Sequence, residues 1–495
     1  MASATRFMVL LSVALAACDG EDGRKREGGA SGVDGQRAGE SGSSGSGGST
    51  GGGGAGGTKD AATGASAAAD AAIDGGMPTA GSTSQPNPRD AGGIQPPPVK
   101  CVAQVSLAST HSCAVRNDGT LWCWGSNRYG QLGAEPASSP VPTPTRVAAL
   151  GSDVAEVATG DGHTCARKKD GAVLCWGLNS SGQLGNGGID GETCLDTSGA
   201  EMKCNPVPTE VTALGDARHV VAGELHSCAL KADGSVLCWG GYSEFGVVGS
   251  DRTGEQTCSM NRLCAPSPRR VASMPAADEL VSGALGRHTC ARAADGALWC
   301  WGLNQHGQLG HDTPELSGTP LHAAESLEIV HAATGLAHTC ALDPAGALYC
   351  WGSNEVGQLG NGTTNASASP VKLAPLDDGA TSGPAAALAS GGAHNCALRK
   401  DGTVWCWGSN RRGQLGIGAA PTQSTLPAAV DALGADTVGI AVGAQHSCAI
   451  ESSGELLCWG DNSDGQLGDG TSEGETCDGD RVCRWVPVKA SLPCP

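Results

Sequence analysis

The sequence predicts an all-β fold, a seven-bladed β-propeller preceded by a disordered linker rich in glycine, serine and alanine. The first observation behind this prediction is a motif that occurs seven times between residues 101 and 495, at intervals of about 56 residues. The second is composition, because the 495 residues include 78 Gly and 26 Pro and only 16% are charged. An average domain has roughly 25% charged residues. Such a chain favours short strands joined by many turns.

Each copy of the motif has two halves separated by a turn. In the first copy, His-Ser-Cys-Ala occupies 111–114, and Cys-Trp-Gly begins at Cys123 and is followed by Gly-Gln-Leu-Gly at 130–133. Asn117-Asp118-Gly119 between two short apolar runs is typical of a β-hairpin. A glycine stands four residues before the second cysteine in every copy, and glycine tolerates the positive φ of a tight turn. A repeat of this length with several short strands is typical of a propeller blade.

The two cysteines of every copy are separated by the same interval around this turn. An even offset around a three-residue loop places them opposite each other on neighbouring strands, close enough for a disulfide. Free buried cysteines and metal ligation remain alternatives. The predicted pairs are Cys113–Cys123, Cys165–Cys175, Cys228–Cys238, Cys290–Cys300, Cys340–Cys350, Cys396–Cys406 and Cys448–Cys458.

Nine further cysteines complete the total of 23. Six form local pairs in the longest insertions, which predicts stapled loops at Cys194–Cys204, Cys258–Cys264 and Cys477–Cys483. Cys101 and Cys494 stand at the two ends of the repeat region, and because a ring brings its ends together we expect a disulfide between them. The odd cysteine is Cys18.

The first 17 residues are predicted to be a lipoprotein signal peptide. Arg6 precedes an apolar run, residues 7–17, that is too short to span a bilayer as a helix. Leu-Ala-Ala-Cys at 15–18 resembles a bacterial lipoprotein signal, which implies a lipid on Cys18; an ordinary signal peptide is the alternative.

Residues 18–100 are predicted to be a disordered linker. We therefore expect an exported protein, anchored in the bacterial cell envelope at the outer membrane, its periplasmic face or the cell surface. Paired cysteines at this density favour the same compartment.

The order His-Ser-Cys-Ala, Asp-Gly, Cys-Trp-Gly-x-Asn-x-x-Gly-Gln-Leu-Gly resembles the regulator of chromosome condensation repeat family, over residues 101–495. The resemblance implies a seven-bladed propeller. That family includes a eukaryotic nucleotide-exchange factor for a small GTPase and a secreted bacterial inhibitor of β-lactamases. This chain departs from the eukaryotic pattern by carrying a cysteine pair in each repeat, and no motif supports a transfer of exchange-factor residues.

Insertions follow copies 2, 3 and 7 at the same place in the repeat, so we expect them to project from one face of the ring. Copies 7, 1, 2 and 3 adjoin in a closed ring and would form one sector. Loops on a rigid scaffold often carry binding, so this sector is predicted to bind a protein or glycan. Solvated surface loops and a calcium site remain alternatives. The candidate residues are Asp190, Glu192, Asp196, Glu201, Asp251, Arg252, Glu255, Arg262, Glu475, Asp478, Asp480 and Arg481.

No catalytic constellation stands out, so the sequence favours a monomeric, non-catalytic binding or scaffold propeller without a cofactor. A net charge of −19 disfavours nucleic acid and anionic headgroups as partners, which leaves the lipid as the contact with the membrane. The seven repeat tryptophans are interpreted as core wedges and the seven repeat histidines as local hydrogen-bonding groups at turns, with a metal-binding ring as the alternative. Other candidate functions are inhibition of a secreted enzyme, a propeller lyase or hydrolase, and nucleotide exchange by resemblance.

Overall fold

A computed structural model describes residues 101–494, without 213, 250–254 and 377–382. These residues form seven antiparallel sheets, each built from consecutive strands. The innermost strands of successive sheets contact each other, and the last contacts the first, so the sheets close into a ring. The predicted all-β, seven-bladed propeller is confirmed. The predicted signal peptide, Cys18 and the linker lie outside the described residues.

Four blades have four strands, whose order from the channel outwards follows the chain. In blade 1 the strands are β1 (Val102–Leu107), β2 (His111–Arg116), β3 (Leu121–Asn127) and β4 (Ala137–Arg146). Those of blade 4 are β15 (Ala277–Val281), β16 (His288–Ala293), β17 (Leu298–Leu303) and β18 (Leu316–Ala323). Blade 5 has β19 (His331–Thr334), β20 (His338–Leu342), β21 (Leu348–Gly352) and β22 (Ser367–Lys372). Blade 6 has β23 (Ala385–Ser390), β24 (His394–Arg399), β25 (Val404–Ser409) and β26 (Gln423–Ala429).

The three blades with insertions have a fifth strand on the outside. Blade 2 contains β5 (Val154–Thr159), β6 (His163–Lys168), β7 (Val173–Leu178), β8 (Glu192–Leu195) and β9 (Glu201–Glu210). In blade 3 they are β10 (Ala217–Ala222), β11 (His226–Lys231), β12 (Val236–Tyr242), β13 (Gln256–Thr257) and β14 (Leu263–Arg270). Blade 7 has β27 (Thr437–Val442), β28 (His446–Glu451), β29 (Leu456–Asp461), β30 (Glu475–Thr476) and β31 (Val482–Lys489).

Helical structure in the described ranges consists of single 3-10 turns, and none of it has the length or hydropathy to cross a membrane. The turns are Ala148–Leu150, Ser243–Phe245, Ser259–Asn261 and Asp431–Leu433.

The hairpin of each blade has the register that the cysteine spacing predicts. Cys113 lies directly opposite Cys123, with their Cα atoms 4.1 Å apart, and all seven within-blade disulfides have Cα separations of 4.0 to 4.1 Å. Gly119 adopts a φ of 79°, which a residue with a side chain rarely adopts. The Asp118 carboxylate accepts a hydrogen bond from the Thr120 amide at 3.0 Å and completes the turn. The predicted disulfide in every blade is confirmed.

Because successive strands alternate in direction, the connections alternate between the two faces of the ring. We call the face with residues 108–110 and 128–136 of blade 1, and their equivalents, the loop face. The opposite side, with the Asp-Gly turns (117–120 in blade 1) and the links between blades (147–153), is the turn face. All three insertions connect the third strand to the outer strands, so they project from the loop face, as the sequence predicts.

The hydrophobic core lies between blades and is centred on the repeat tryptophans. Trp176 of blade 2 is fully buried against Val115, Leu121 and Val147 of blade 1. Its indole nitrogen donates a hydrogen bond to the Gln131 carbonyl of blade 1 at 2.9 Å. All seven tryptophans of the Cys-Trp-Gly motif are fully buried, so they are wedges between blades.

The closure between blades 7 and 1 does not use a shared sheet in the described chain, because the strands of each sheet are contiguous in sequence. A disulfide joins Cys101 to Cys494, with Cα atoms 5.5 Å apart and a sequence separation of 393. Side chains also cross this boundary, because the Trp124 indole donates to the Gln466 carbonyl at 2.8 Å. The structure thus contains the clasp that the end-to-end arrangement of cysteines predicts.

Candidate functional site

The seven repeat histidines form a ring of hydrogen bonds between blades rather than local bonds at turns. His111 Nε2 of blade 1 lies 2.9 Å from Thr164 Oγ1 of blade 2, and His446 Nε2 of blade 7 lies 2.9 Å from Ser112 Oγ of blade 1. The interpretation of these histidines as local turn-fixing groups was therefore wrong, because their partners come from the next repeat. The remaining pairs are His163–Ser227, His226–Thr289, His288–Thr339, His338–Asn395 and His394–Ser447.

The chemistry of these bonds sets the protonation of the imidazoles. The Thr164 hydroxyl donates to the Gln131 carbonyl at 2.8 Å, so it accepts the hydrogen bond from His111. Nε2 of His111 thus carries the proton. Burial, together with the nearby His446, lowers the pKa of His111 to about 3, so the ring is neutral above mildly acidic pH. In the described parts of the chain, no three His, Cys, Asp or Glu side chains are grouped so as to hold a metal ion.

The predicted stapled loops lie on the loop face as short hairpins at the outer edges of blades 2, 3 and 7. We call their described parts stapled loop 2 (186–204), stapled loop 3 (255–264) and stapled loop 7 (469–483). Their disulfides Cys194–Cys204, Cys258–Cys264 and Cys477–Cys483 have Cα separations of 6.1, 5.9 and 6.0 Å.

Stapled loops 3 and 7 contact the preceding blade. The Ser259 amide of stapled loop 3 donates to the Ser180 carbonyl of blade 2 at 3.1 Å, and Arg412 of blade 6 donates to the Asp478 carbonyl of stapled loop 7 at 2.8 Å. Stapled loops 2 and 7 also contact the following blade, because the Gly187 amide donates to the Pro266 carbonyl of blade 3 at 3.0 Å and the Gly470 amide to the Pro142 carbonyl of blade 1 at 3.1 Å.

The candidate binding residues differ in what their side chains contact. Asp196 closes its own turn by accepting from Ser198, and Glu475 accepts from the Trp485 amide at 3.2 Å. Asp251 and Arg252 lie outside the described residues. Glu255 is half-buried, and the exposed candidates are Asp190, Glu192, Glu201, Glu475, Asp478, Asp480 and Arg481.

An aromatic and arginine cluster joins stapled loop 3 to the mouth of the channel. The Arg262 guanidinium lies 4.8 Å from the centre of the Tyr242 ring, and it also pairs with Glu244 at 3.1 Å. Phe245 lies between two arginines, Arg262 at 5.8 Å and Arg287 at 5.1 Å.

Arg262 was predicted as a binding residue from the sequence, but the rest of this cluster was not. The available signal was the third copy, which has Tyr-Ser-Glu-Phe (242–245) before the one altered Gly-Gln-Leu-Gly element. Together with Tyr129 of blade 1, this places three of the five Phe and Tyr residues of the chain on the loop face.

Carboxylates surround the channel mouth on the same side. Burial raises the pKa of Asp161 to about 6, although Ser109 donates a hydrogen bond to it. Burial and the charges of Asp161 and Asp196 raise the pKa of Tyr129, so stapled loop 2 lies close to blade 1. Arg287 donates to both carboxylate oxygens of Glu224, at 2.7 Å for the Nη2–Oε1 pair.

The central channel encloses a cavity of about 580 Å³ lined by the innermost strands of all seven blades. One position of each innermost strand pairs with the residue two after the first cysteine of its copy. The type of residue at this position differs between the blades. The residues at this position, in blade order, are Gln104, Glu156, His219, Glu279, His331, Ala387 and Gly439. This alternation of acids and histidines in blades 2 to 5 was not predicted from the sequence.

A sequence signal for the channel position did exist. In copies 2 and 4 the residue two after the first cysteine is an arginine, Arg167 or Arg292, where the other copies have an apolar residue. Arg167 lies opposite Glu156 and pairs with it at 2.9 Å, and Arg292 lies opposite Glu279 and pairs with it at 3.2 Å. An arginine in an apolar strand therefore marked the blades that have an acid in the channel.

Comparison with known families supports the same architecture. Residues 153–490 match the model of the RCC1-like domain, and residues 118–167 and 102–131 match models of the regulator of chromosome condensation (RCC1) repeat. The chain belongs to the RCC1-like domain family. Domains of this type are binding domains, and the sequence resemblance to the family is confirmed.

Curated relatives share part of this RCC1-like propeller. The ultraviolet-B receptor UVR8 of Arabidopsis thaliana is 28% identical over 381 residues, which cover 75% of this chain and 68% of the receptor. The human E3 ubiquitin-protein ligase HERC2 is 30% identical over 365 residues, which cover 72% of this chain but only 7% of the ligase.

Solved structures show the same fold. Human WBSCR16 superposes with a TM-score of 0.61 at 21% identity, covering 76% of this chain and 94% of that one. Yeast RCC1 (Prp20), solved with Kap60, gives a TM-score of 0.59 at 20% identity, covering 79% and 85% of the two chains.

Disulfides distinguish this RCC1-like propeller as a protein for an oxidising environment. Their density is typical of extracytoplasmic proteins, where thiols are not kept reduced. The cross-linked ring supplies a rigid base on which the stapled loops and the aromatic and arginine cluster are held. Tyr242 is buried and Phe245 is half-buried, so the arrangement can present a preformed polar surface, with the arginines above these rings, to a partner.

Proposed function

We propose that this RCC1-like propeller is a non-catalytic binding protein of the bacterial cell envelope that captures a protein partner with its loop face. The observation that carries the proposal is the coincidence, in one sector of one face, of stapled loops 2 and 3 with the aromatic and arginine cluster. Arg262 belongs to both, since it lies in stapled loop 3 and stacks on Tyr242. Arginine and aromatic residues are enriched at protein interfaces, and Arg262 and Phe245 are partly exposed above the buried Tyr242.

The direction of the chain favours presentation of this face. The Cys101 carbonyl accepts a hydrogen bond from the Asn117 amide at 3.1 Å, so the described chain begins on the turn face. A tether that continues from residue 101 to a lipid on Cys18 therefore starts on the side away from the stapled loops.

The charges of stapled loop 2 indicate the chemistry of the partner. Its exposed side chains include Asp190, Glu192 and Glu201, against a single Lys203. A partner with a basic patch would be attracted by this surface and by the net negative charge of the whole chain. We expect its association to slow as the salt concentration rises.

The decisive experiment uses two glutamates at the two ends of one strand. Glu201 begins β9 on the loop face, Glu210 ends it on the turn face, and both are exposed. The full lipidated chain, carrying Glu201→Lys together with Glu192→Lys, should capture its envelope partner at least tenfold more weakly than the wild type, while Glu210→Lys should capture it normally. Binding is read by quantitative mass spectrometry after cross-linking on intact cells.

The result that would overturn the proposal is equal capture by all three proteins, or equal loss in the Glu210→Lys control. Recovery of glycans instead of a protein by the wild-type chain would also overturn it.

The anchor is tested separately, because Cys18→Ala should move the chain from the detergent phase to the aqueous phase in a Triton X-114 partition. Unchanged partitioning would exclude a lipid on Cys18.

A further inference from the structure

Two histidines in the channel wall each connect three consecutive blades. His219 of β10 faces Glu156 of blade 2 through Nδ1, and its Nε2 lies 2.9 Å from the Leu280 carbonyl of blade 4. His331 of β19 repeats this arrangement, because its Nδ1 faces Glu279 of blade 4.

The second ring nitrogen of His331 bonds to the next blade, as that of His219 does. Its Nε2 lies 3.1 Å from the Leu388 carbonyl of blade 6. The two histidines therefore link blades 2 to 6 in one continuous arc along the cavity.

The partners of these imidazoles are acceptors on both sides. A backbone carbonyl can only accept a hydrogen bond, and an ionised carboxylate can only accept one. Arg167 and Arg292 hold the two glutamates as carboxylates through the ion pairs described above. Both nitrogens of each ring must then donate, which only the doubly protonated imidazolium can do.

The surrounding charges agree with that assignment. Burial by itself would lower the pKa of His219, but the hydrogen bond and charge of Glu156, with Glu279 beyond, outweigh burial and raise it. For His331, burial is likewise outweighed by Glu279, although Arg292 opposes the shift, and the pKa is raised. Burial would raise the pKa of Glu279, yet His331 and Arg292 hold it below its usual range.

Blade 1 contains a version of the same connection that cannot titrate. Gln104 stands at the equivalent position, and its amide nitrogen donates to the Val157 carbonyl of blade 2 at 3.1 Å, while its oxygen accepts from the Val157 amide at 2.9 Å. Val157, Leu280 and Leu388 occupy the same place in their strands. A glutamine therefore makes the inter-blade bond at any pH, and a histidine makes it together with a bond to an acid only while protonated.

We propose that His219 and His331 form a proton-dependent strap in the channel wall that holds blades 2 to 6 together when both imidazoles are doubly protonated. When an imidazole loses a proton, one nitrogen presents a lone pair to an acceptor and one of its two inter-blade bonds is lost. The strap then loosens along blades 2 to 6. At the same register position of blades 1, 6 and 7, Gln104, Ala387 and Gly439 have no titratable group.

The strap is tested on the full chain by deuterium exchange at the histidine ring C2 position, which reports the pKa of each histidine by mass spectrometry. We expect the exchange midpoints of His219 and His331 to lie above 6.5, the ordinary value. Amide protection factors of β10 and β19 should fall as the pH is raised through those midpoints, while those of β1 and β27 should not.

The glutamine at blade 1 supplies variants that keep the inter-blade bond. His219→Gln combined with His331→Gln should fold and should abolish the pH dependence of protection in β10 and β19. His306→Gln, which changes an exposed histidine of blade 4, should leave that dependence unchanged. Midpoints at or below 6.5, or the same pH dependence in the double variant as in the wild type, would overturn the proposal.

Discussion

Ser112 and His446 are 334 residues apart in sequence, and the Ser112 hydroxyl lies 2.9 Å from His446 Nε2. This hydrogen bond closes the ring of seven inter-blade contacts at the boundary between the last blade and the first. The same serine donates to the Gln466 carbonyl at 2.8 Å. A single hydroxyl thus connects the second strand of blade 1 to both the histidine and the Gly-Gln-Leu-Gly element of blade 7.

Removal of this hydroxyl tests the closure directly. Ser112→Ala leaves the His446 imidazole N–H without its acceptor inside a fully buried site, so we expect a loss of about 1–3 kcal/mol in the free energy of unfolding. Denaturant unfolding at neutral pH measures it. Ser267→Ala, at an exposed position of blade 3, is the control and should change stability by less than about 0.5 kcal/mol. Equal values for the two variants would contradict a structural role for the hydrogen bond.

The Cys101–Cys494 clasp should stabilise the ring more than any disulfide within a blade. It closes a segment of 393 residues, whereas Cys113–Cys123 closes one of 10. In the chain-entropy model the first constraint contributes about 6 kcal/mol and the second roughly 2.5–3 kcal/mol. We expect Cys101→Ser with Cys494→Ser to lower the denaturation midpoint further than Cys113→Ser with Cys123→Ser. The reverse order would show that the loss of packing in the hairpin outweighs the length of the closed segment.

Acid should destabilise the propeller because the seven repeat histidines are buried as neutral rings. Burial lowers their pKa values to about 3 or 4 from 6.5. The unfolded chain takes up protons below pH 6.5 while the folded chain does not, so their contribution is complete above 6.5 and declines as the pH falls. Each histidine contributes up to about 1.4 kcal/mol per pH unit.

This prediction is measured by denaturant unfolding at pH 7, 6 and 5. His163→Gln should weaken the pH dependence of stability by the share of one histidine, even if it lowers stability at pH 7. A stability that stays constant between pH 7 and 5 in the wild type would contradict neutral, buried rings. The two strap histidines act in the opposite direction, since their raised pKa values stabilise below 6.5 and that stabilisation is lost as the pH rises.

The staples of the outer loops should matter for binding and not for the ring. The disulfides Cys194–Cys204 and Cys477–Cys483 lie in loops outside the inter-blade cores. Their replacement by serine pairs should abolish partner capture, because the loops lose their fixed shape, while the thermal midpoint of the ring shifts by only a few degrees. Differential scanning calorimetry and the cross-linking assay measure the two properties. Full capture by the quadruple variant would refute the predicted role of the stapled loops.

Much of the fold was predictable because it depends on local spacing. The offset between Cys113 and Cys123, with Gly119 at the turn, determines that the two cysteines are cross-strand neighbours whatever the rest of the chain does. Seven repetitions of that unit cannot bury their apolar faces singly, so they stack. The acceptors of the repeat histidines were missed because each belongs to the following repeat, as in His163 with Ser227.

The sequence by itself determined the number of blades, which follows from the count of repeats, and the hairpin register and the cysteine pairs within blades and loops, which follow from residues within about ten positions of each other. Only the tertiary structure decided which side chains of different blades meet. Glu156 and His219 are 63 positions apart and come into contact because the closed ring places the same register position of successive blades side by side around the channel. A repeat pattern describes one blade, whereas the contacts between unlike residues of neighbouring blades depend on how the blades are packed.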